Sequence, residues 1–168
     1  GLPLELHEDL RPVQWGKLLL NLNNPVNALS GLPLRAELMQ RGYRRAFAAL
    51  MQEALAVLHA AGIEPARLTP VAPRWLPAVL RLPDGLFRVL AARMLRMDAQ
   101  ARSSMADDLA MGRRTEVEAL CGEVVRLAKA TGVPAPRNAR MVELIDGSWP
   151  MVPEHMKAPR LLHELGLK

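Results

Sequence analysis

Three polar residues near the beginning of the chain have a spacing that brings them to one helix face. Asn21 follows Lys17 by four residues, and Asn24 follows Asn21 by three, so all three are neighbours on a helix surface. An ammonium group flanked by amides can hold an anion or donate a proton to a carbonyl oxygen. The spacing suits equally a lysine that extends along a solvated helix face with its charge in water. Both interpretations stay open from spacing alone.

A second group of candidates lies in the middle of the chain. Ser103 and Ser104 precede a short apolar run, and Glu116 follows further along. Two hydroxyls at a helix start can cap the helix, or they can bind a carboxylate together with backbone N–H groups. A glutamate in a first helical turn is stabilised by the helix dipole. Taken by themselves, these residues favour structural roles.

The remaining reactive side chains point to no metal or thiol chemistry. The four histidines, His7, His59, His155 and His163, have no metal-ligand spacing. Cys121 lies in an apolar stripe and is predicted to be a core residue. A single cysteine excludes an internal disulfide and a four-thiolate metal site. Neither glycine-rich phosphate-binding motif, Gly-x-Gly-x-x-Gly or Gly-x-x-x-x-Gly-Lys-Ser/Thr, occurs in the sequence.

Composition places the chain among globular helical proteins. Half of its 168 residues are hydrophobic and 23% are charged, but only 4% are aromatic, which favours helices over strands. The net charge of +5 is dispersed, so we expect no nucleic-acid partner. The longest uncharged run, 18–34, contains four asparagines and two prolines, so we expect no membrane span. The single cysteine suits the cytoplasm, which is the expected location.

The apolar periodicity predicts the elements that position these candidates. A helix follows Pro12 and is bent or interrupted by Pro25, and a long helix covers 34–61, with Gly42 as a potential interruption. Asparagine is a poor helix former, so the four asparagines in the first helix need a reason. Residues 63–84 contain five prolines and predict short helical pieces.

The second half of the chain predicts further helices over about 86–97, 106–111, 115–131, 137–146 and 160–165. Thr115 and Glu118 have the spacing of a capping box. A glycine inside a helix needs compensation, and Gly122 therefore predicts a close contact with helix 34–61 or 11–30. We predict one all-α domain over 1–168, with a core of about 9–146 and a proline-broken tail over 147–168.

Three stretches of the chain together carry a resemblance to a known family. They are Trp15-Gly16-Lys17-Leu18-Leu19-Leu20-Asn21 with Asn24-Pro25 and Ala28-Leu29-Ser30-Gly31, the stretch from Ser103-Ser104 to Thr115-Glu116, and the stretch from Gly122-Glu123 to Arg137-Asn138. Over about residues 2–146 the chain resembles the C-terminal domain of ketopantoate reductases (2-dehydropantoate 2-reductases).

The resemblance implies the substrate-side helical domain of a two-domain reductase of the 6-phosphogluconate-dehydrogenase-like kind, whose Rossmann domain is absent here. Such an enzyme transfers hydride from NADPH to 2-dehydropantoate and yields (R)-pantoate for pantothenate and coenzyme A synthesis. NADPH is then bound mainly by the missing domain, so this chain alone is expected to be inactive. The expected partners are NADPH and a 2-oxo acid, and a homodimer stays open.

The resemblance also implies roles for individual residues. Lys17 matches the catalytic lysine, whose ammonium polarises and protonates the carbonyl oxygen. Asn21 and Asn24 match amides that help to place the substrate. Ser104 matches a serine that contacts the substrate, and Glu116 matches the acid that binds the substrate hydroxyl.

Two departures from the family pattern keep other interpretations open. One residue is missing between Asn21 and Asn24, and Ala101 stands where some members have an asparagine. A reductase of another branched 2-oxo acid therefore remains an alternative, as does a non-catalytic helical interaction domain. Asp108 matches a family acid that we expect to act structurally or indirectly.

Overall fold

The computed structural model describes residues 10–92, 100–147 and 151–168, and these ranges contain helices and no strand. The helices are α1 (Arg11–Asn21), α2 (Asn23–Ser30), α3 (Leu34–Leu38), α4 (Arg41–Ala60), α5 (Leu76–Leu80), α6 (Asp84–Leu90), α7 (Ser104–Ala110), α8 (Val117–Thr131), α9 (Pro136–Asp146) and α10 (Ala158–Glu164), with a 3₁₀ turn at Pro73–Trp75. The predicted all-α class is confirmed. None of the described helices is both long enough and apolar enough to span a membrane.

Helix α4 forms the centre of the fold. It spans 20 residues, about 30 Å at 1.5 Å per residue, and it contacts α2, α5, α8, α9 and α10. Its buried residues include Leu50 and Met51, which are fully enclosed, and several alanines that let neighbouring helices approach closely. The other helices thus share one core built around α4.

The predicted helix over 34–61 is two helices, because the chain becomes extended at Gln40, with φ −101° and ψ 114°. The side chain of Arg44 stabilises this break, since its Nη1 donates to the carbonyl of Leu38 at 2.8 Å. Gly42 lies just after the break rather than at it. A Cβ atom on Gly42 would lie 2.6 Å from the Cβ of Ala158, so this glycine lets α10 pack against α4.

Arg44 is fully buried and connects several chain segments. Its guanidinium donates to the carbonyls of Leu38, Leu80 and Leu82 at 2.8 to 3.0 Å and to Asp84 Oδ1 at 2.7 Å. The same group lies 4.2 Å from the ring centroid of Phe87. Because these partners end α3 and α5 and begin α6, one side chain fixes the positions of three short helices around α4.

The C-terminal segment contributes more to the core than its prolines indicated. Leu161 is fully buried and Leu162 nearly so. The hydroxyl of Tyr43 donates to the carbonyl of Met156 at 2.8 Å, and the amide of Met156 donates to the carbonyl of Leu29 at 2.7 Å. Residues 156–165 therefore pack against α2 and α4.

Several local predictions are corrected by the structure. The helix expected from Thr115 begins at Val117, and Thr115 Oγ1 accepts a hydrogen bond from the amide of Val117. Glu118 contacts Arg126 instead of completing a capping box. A Cβ on Gly122 would meet the Glu118 carboxylate of its own helix, so the expected close contact with another helix is wrong.

Two further predictions concern residues after the core helix α4. In the segment over 63–84, Leu76 is buried as expected, but Trp75 is 58% exposed. The helix predicted over 86–97 is observed as α6, which ends at Leu90, and residues 93–97 lie outside the described residues.

Replacing Arg44 with methionine is expected to lower the free energy of unfolding by about 3–5 kcal/mol, because three carbonyls lose their donor. Chemical denaturation followed by circular dichroism measures this change. The matched control is Arg41→Met, since Arg41 is exposed and its side chain donates to the carbonyl of Arg81 on the surface. Equal effects of the two substitutions would contradict the role assigned to Arg44.

Candidate active site

The junction between α1 and α2 carries the first three candidate residues. Leu22 separates the two helices, and Pro25 has no N–H to donate to the carbonyl one turn earlier, which confirms the predicted interruption. Lys17 and Asn21 are exposed, whereas Asn24 is half-buried. The apolar residues between them, including Leu19 and Leu22, face the core.

Lys17 has its ammonium group in an open position. It is exposed and forms no hydrogen bond or ion pair with any residue that the structure describes. A lysine in this position is free to meet an anionic or carbonyl group on an incoming ligand. This is what the chemistry predicted for Lys17 needs, although a solvated lysine has the same surroundings.

Ser103 and Asn27 hold the start of α7 against α2. The amide of Ser103 donates to Asn27 Oδ1 at 3.0 Å, and Ser103 Oγ donates to the carbonyl of Asn24 at 3.3 Å. Asn27 Nδ2 in turn donates to the carbonyl of Leu32 at 2.9 Å. Asn27 is fully buried, so it accounts for one of the asparagines that a helix would otherwise disfavour.

The two adjacent serines have different tasks. Ser103 is buried and caps α7, since its Oγ accepts from the amide of Ala106 at 3.2 Å. Ser104 is exposed, and its Oγ donates to Glu116 Oε1 at 3.4 Å. The sequence indicated the serine pair but did not show which hydroxyl caps the helix. Asn27 was missed, and the excess of asparagines in α2 was its signal.

Glu116 lies directly before α8. Its side chain does not cap that helix, and its carboxylate instead receives the Ser104 hydroxyl. The structure therefore brings Ser104 and Glu116 together and places both beside Asn24 through Ser103. Lys17 and Asn21 lie on α1, before this group in the chain, and no hydrogen bond among the described residues joins them to Ser104 or Glu116. We call Asn24, Ser104 and Glu116, together with Lys17 and Asn21 of the adjoining α1, the polar edge.

The neighbouring residues Asp108 and Ala101 have structural contacts. Asp108 Oδ1 accepts from Arg113 Nε and Nη2 at 2.9 and 2.6 Å, which is consistent with an indirect role. The carbonyl of Ala101 accepts from the amide of Leu34 at 2.8 Å. Cys121 is fully buried, and burial raises the pKa of its thiol well above the usual range. Among the described residues no cluster of acidic, histidine or cysteine side chains can hold a metal ion.

Four of the five residues of the polar edge, all except Asn24, are exposed. A cavity of about 830 Å³ lies between α4 and the proline-rich segment, where residues such as His59 and Trp75 line it. None of the five predicted site residues lines this cavity. The edge offers one wall of a binding site, and a ligand enclosed there would need a second wall.

Comparison with known proteins matches most of the chain to one family. The family model described as the C-terminal part of ketopantoate reductase PanE/ApbA matches residues 9–148. The chain belongs to the ketopantoate reductase family. The 2-dehydropantoate 2-reductase of Caulobacter vibrioides is 30% identical over 148 residues, which is 87% of this chain and 45% of that protein. The corresponding enzyme of Mesorhizobium japonicum is 29% identical over 86% of this chain and 39% of its own length.

Solved structures of ketopantoate reductases have the same fold. A PanE/ApbA family ketopantoate reductase from Ralstonia eutropha aligns over 95% of this chain and 44% of its own, with a TM-score of 0.61 and 24% identity. A ketopantoate reductase from Staphylococcus aureus, described as dimeric, aligns over 96% and 45%, with a TM-score of 0.58 and 17% identity. The chain thus spans less than half the length of the ketopantoate reductases it matches.

Replacing Asn27 with alanine is expected to lower the free energy of unfolding by about 1–3 kcal/mol, because the buried amide of Ser103 loses its acceptor. Asn21→Ala is the matched control, since Asn21 is exposed and its removal is expected to change stability by less than about 0.5 kcal/mol. Urea denaturation measures both. If Asn21→Ala lowered the free energy of unfolding as much as Asn27→Ala, the buried hydrogen bond of Asn27 would not be the cause of its effect.

Proposed function

We propose that this chain forms the substrate-side wall of an NADPH-dependent reductase that converts 2-dehydropantoate to (R)-pantoate. The hydrogen bond of Ser104 with Glu116, next to the point where Ser103 links α7 to the backbone of Asn24, carries the proposal. Membership of the ketopantoate reductase family supports it. In this proposal the protein works in the cytoplasm, within coenzyme A synthesis.

Bound NADPH supplies a hydride to the keto carbon of the substrate. The present sequence has no glycine-rich phosphate-binding motif, so the phosphates of NADPH are assigned to a separate dinucleotide-binding domain. The residues of this chain are assigned to the oxo acid. A domain of that kind also supplies the second wall that the polar edge needs.

Lys17 acts on the carbonyl oxygen of the substrate. As hydride reaches carbon, the C=O π electrons move to oxygen, and the positive ammonium group stabilises the growing negative charge. Lys17 then transfers one proton to that oxygen and completes the alcohol. The resulting neutral amine regains a proton from water. The side-chain amides of Asn21 and Asn24 donate hydrogen bonds to the substrate without adding charge to the site.

Glu116 and Ser104 bind the hydroxyl group of the substrate. The Glu116 carboxylate is an acceptor and the Ser104 hydroxyl can donate or accept, so together they can hold an alcohol group already present in the ground state. Holding that group orients the keto carbon relative to Lys17. A hydroxyl-bearing branched oxo acid therefore fits the edge better than a purely apolar one.

A second candidate function is the reduction of another branched 2-oxo acid. Ala101 supplies only its backbone carbonyl, to Leu34, and offers no side-chain amide where some relatives have one. The shortened spacing between Asn21 and Asn24 also favours a different 2-oxo acid. A chimera in which this chain replaces the matching region of the Caulobacter vibrioides relative tests both candidates. NADPH oxidation with 2-dehydropantoate and with other branched oxo acids identifies the preferred substrate, and the unaltered relative is the positive control.

Lys17→Ala in this chimera is expected to lower kcat about 10²–10⁴-fold, because the charge that Lys17 stabilises is complete only in the transition state. Steady-state kinetics with each substrate varied measures the change. Lys129→Ala is the matched control, because Lys129 is an exposed lysine of α8. A near-normal kcat for Lys17→Ala would contradict the catalytic assignment.

Glu116→Ala is expected to raise KM for the oxo acid about ten- to hundredfold, since a charge-assisted hydrogen bond to the ground-state hydroxyl is lost. The KM for NADPH should stay nearly constant. Glu118→Ala serves as the control, because this exposed glutamate lies two residues further and contacts Arg126. If Glu116→Ala instead raised the KM for NADPH, Glu116 would be a cofactor contact.

A further inference from the structure

Glu37 on α3 is a carboxyl group enclosed by the fold. Its side chain has no solvent exposure, and Asn23 Nδ2 donates to its Oε2 at 3.0 Å. Its other oxygen, Oε1, and Asn23 Oδ1 are both buried without a hydrogen-bond partner among the described residues. Two acceptor atoms are thus left over on two groups that already contact each other.

The protonation state of Glu37 determines whether these two atoms can take part in a hydrogen bond. An ionised carboxylate offers only acceptors, so Oε1 and Asn23 Oδ1 would have no donor between them. A carboxylic acid protonated on Oε1 carries one donor, and Asn23 Oδ1 is the free acceptor on the amide it already faces. A proton on Oε1 would let the acid donate to Asn23 Oδ1 beside the bond that Oε2 already accepts from Asn23 Nδ2, and both orphaned atoms would then be paired.

The charged and titratable groups around Glu37 direct their hydrogen-bond donors to other acceptors. Arg44 of α4 faces Glu37, but its guanidinium donates to three carbonyls and to Asp84. Tyr43 of α4 also faces it and donates its hydroxyl to the carbonyl of Met156. Burial raises the pKa of Glu37 to about 7, against the lowering effects of Asn23 and Asn27 of α2 and of Arg44.

The place of Glu37 in the fold connects it to the candidate site. Asn23 begins α2 and lies between Asn21 and Asn24. At the other end of α3, the amide of Leu34 donates to the carbonyl of Ala101, which precedes the serine pair. Helix α3 therefore contacts both segments that form the polar edge.

We propose that Glu37 is a positioning residue of this site, which acts as a neutral carboxylic acid paired through two hydrogen bonds with Asn23 and so fixes the α1–α2 junction. Its effect on turnover rests on the proposed function, whereas its protonation state does not. A neutral acid suits this place because the burial of an uncompensated charge is costly.

Glu53 on α4 provides a matched comparison. Its side chain is also buried, but its carboxylate accepts hydrogen bonds from the amides of Arg137 and Asn138, from Asn138 Nδ2 and from the Arg137 guanidinium. These donors lie at the start of α9, where a negative charge is favourable. The substitution Glu53→Gln removes the negative charge that the donors of Arg137 and Asn138 stabilise. Glutamine at position 37 reproduces the neutral acid, with Nε2 as the donor to Asn23 Oδ1.

The experiment is a pH titration of the 168-residue chain and its Glu37→Gln and Glu53→Gln variants by ¹⁵N nuclear magnetic resonance. In the parent chain, the side-chain amide resonances of Asn23 are expected to shift with a midpoint near pH 7. The shift should be absent in Glu37→Gln and retained in Glu53→Gln. These resonances report the partner of the carboxyl group, which a purely structural role would not change with pH.

Denaturation of the same three proteins against pH gives the second measurement. The folded pKa of Glu37 lies above the ordinary value of 4.5, so the stabilisation is complete below about pH 4.5 and is lost as pH rises to about 7. Relative to Glu37→Gln, the unfolding constant of the parent chain should rise up to about tenfold per pH unit across that interval. Outside that pH interval, the ratio of the two unfolding constants should not change with pH.

Opposite results would overturn the proposal. Asn23 resonances that stay constant between about pH 5 and 8 would show that Glu37 does not titrate there. A Glu37→Gln chain that fails to fold, or is destabilised at about pH 5 as strongly as Glu53→Gln, would show that the carboxylate form is bound.

The consequence for turnover is tested in the chimera. The pH profile of kcat/KM should lose an inflection near pH 7 in Glu37→Gln, whereas Glu37→Leu should lower kcat/KM at every pH. An inflection that persists in Glu37→Gln would contradict the positioning role. A chimera without turnover contradicts the proposed function instead, and the Asn23 titration still decides the state of Glu37.

Discussion

The hydrogen bonds of Asn27 determine how the two halves of the polar edge meet. This side chain is fully enclosed, and it accepts from the amide of Ser103 while it donates to the carbonyl of Leu32. Because an amide offers both a donor and an acceptor, one residue holds α7 against α2 and shapes the turn after α2. The exposed residues Ser104 and Asn24 acquire their relative positions from this buried contact.

Among the described residues, the core contains one guanidinium and two carboxyl side chains, and each is accommodated differently. Arg44 is surrounded by carbonyl oxygens that end short helices, with one carboxylate at its edge. Glu53 receives the first amides of α9. Glu37 accepts a hydrogen bond from the neutral Asn23 amide, and the Arg44 guanidinium that faces it donates to other groups. Burial penalises a charge unless it is paired or hydrogen-bonded. The surroundings of Arg44 and Glu53 therefore stabilise a charged side chain, whereas those of Glu37 favour a neutral acid.

The sequence predicted the helices with strong apolar stripes and missed the details set by tertiary contacts. The stripe of α8 and the break near Pro25 follow from periodicity and from the missing proline N–H. The break at Gln40 depends on Arg44, which reaches back from α4, and no local pattern shows which way that side chain turns. Glu118 resembled half of a capping box, but a nearby arginine binds it instead.

The candidate site shows the same division between local pattern and three-dimensional contact. Lys17 and Asn21 share a helix face by spacing, and the family resemblance supplied Ser104 and Glu116. Asn27 and Ser103 hold α7 against α2, and Glu37 accepts a hydrogen bond from Asn23 at the start of α2. Each of the three is of a residue type that is common at helix caps or on surfaces. Their function follows from burial and partners, which depend on residues far away in the sequence.

The candidate site combines exposed polar groups with buried anchoring residues. Lys17, Ser104 and Glu116 lie in water, where two unit charges 4 Å apart interact by only about 1 kcal/mol. The same pair interacts by about 4 kcal/mol at an effective dielectric constant of 20. Anchored positions on this chain therefore set the geometry, and the exclusion of water by a second wall sets the strength of the electrostatic interaction. In a two-domain reductase, closure over this edge would supply that second contribution.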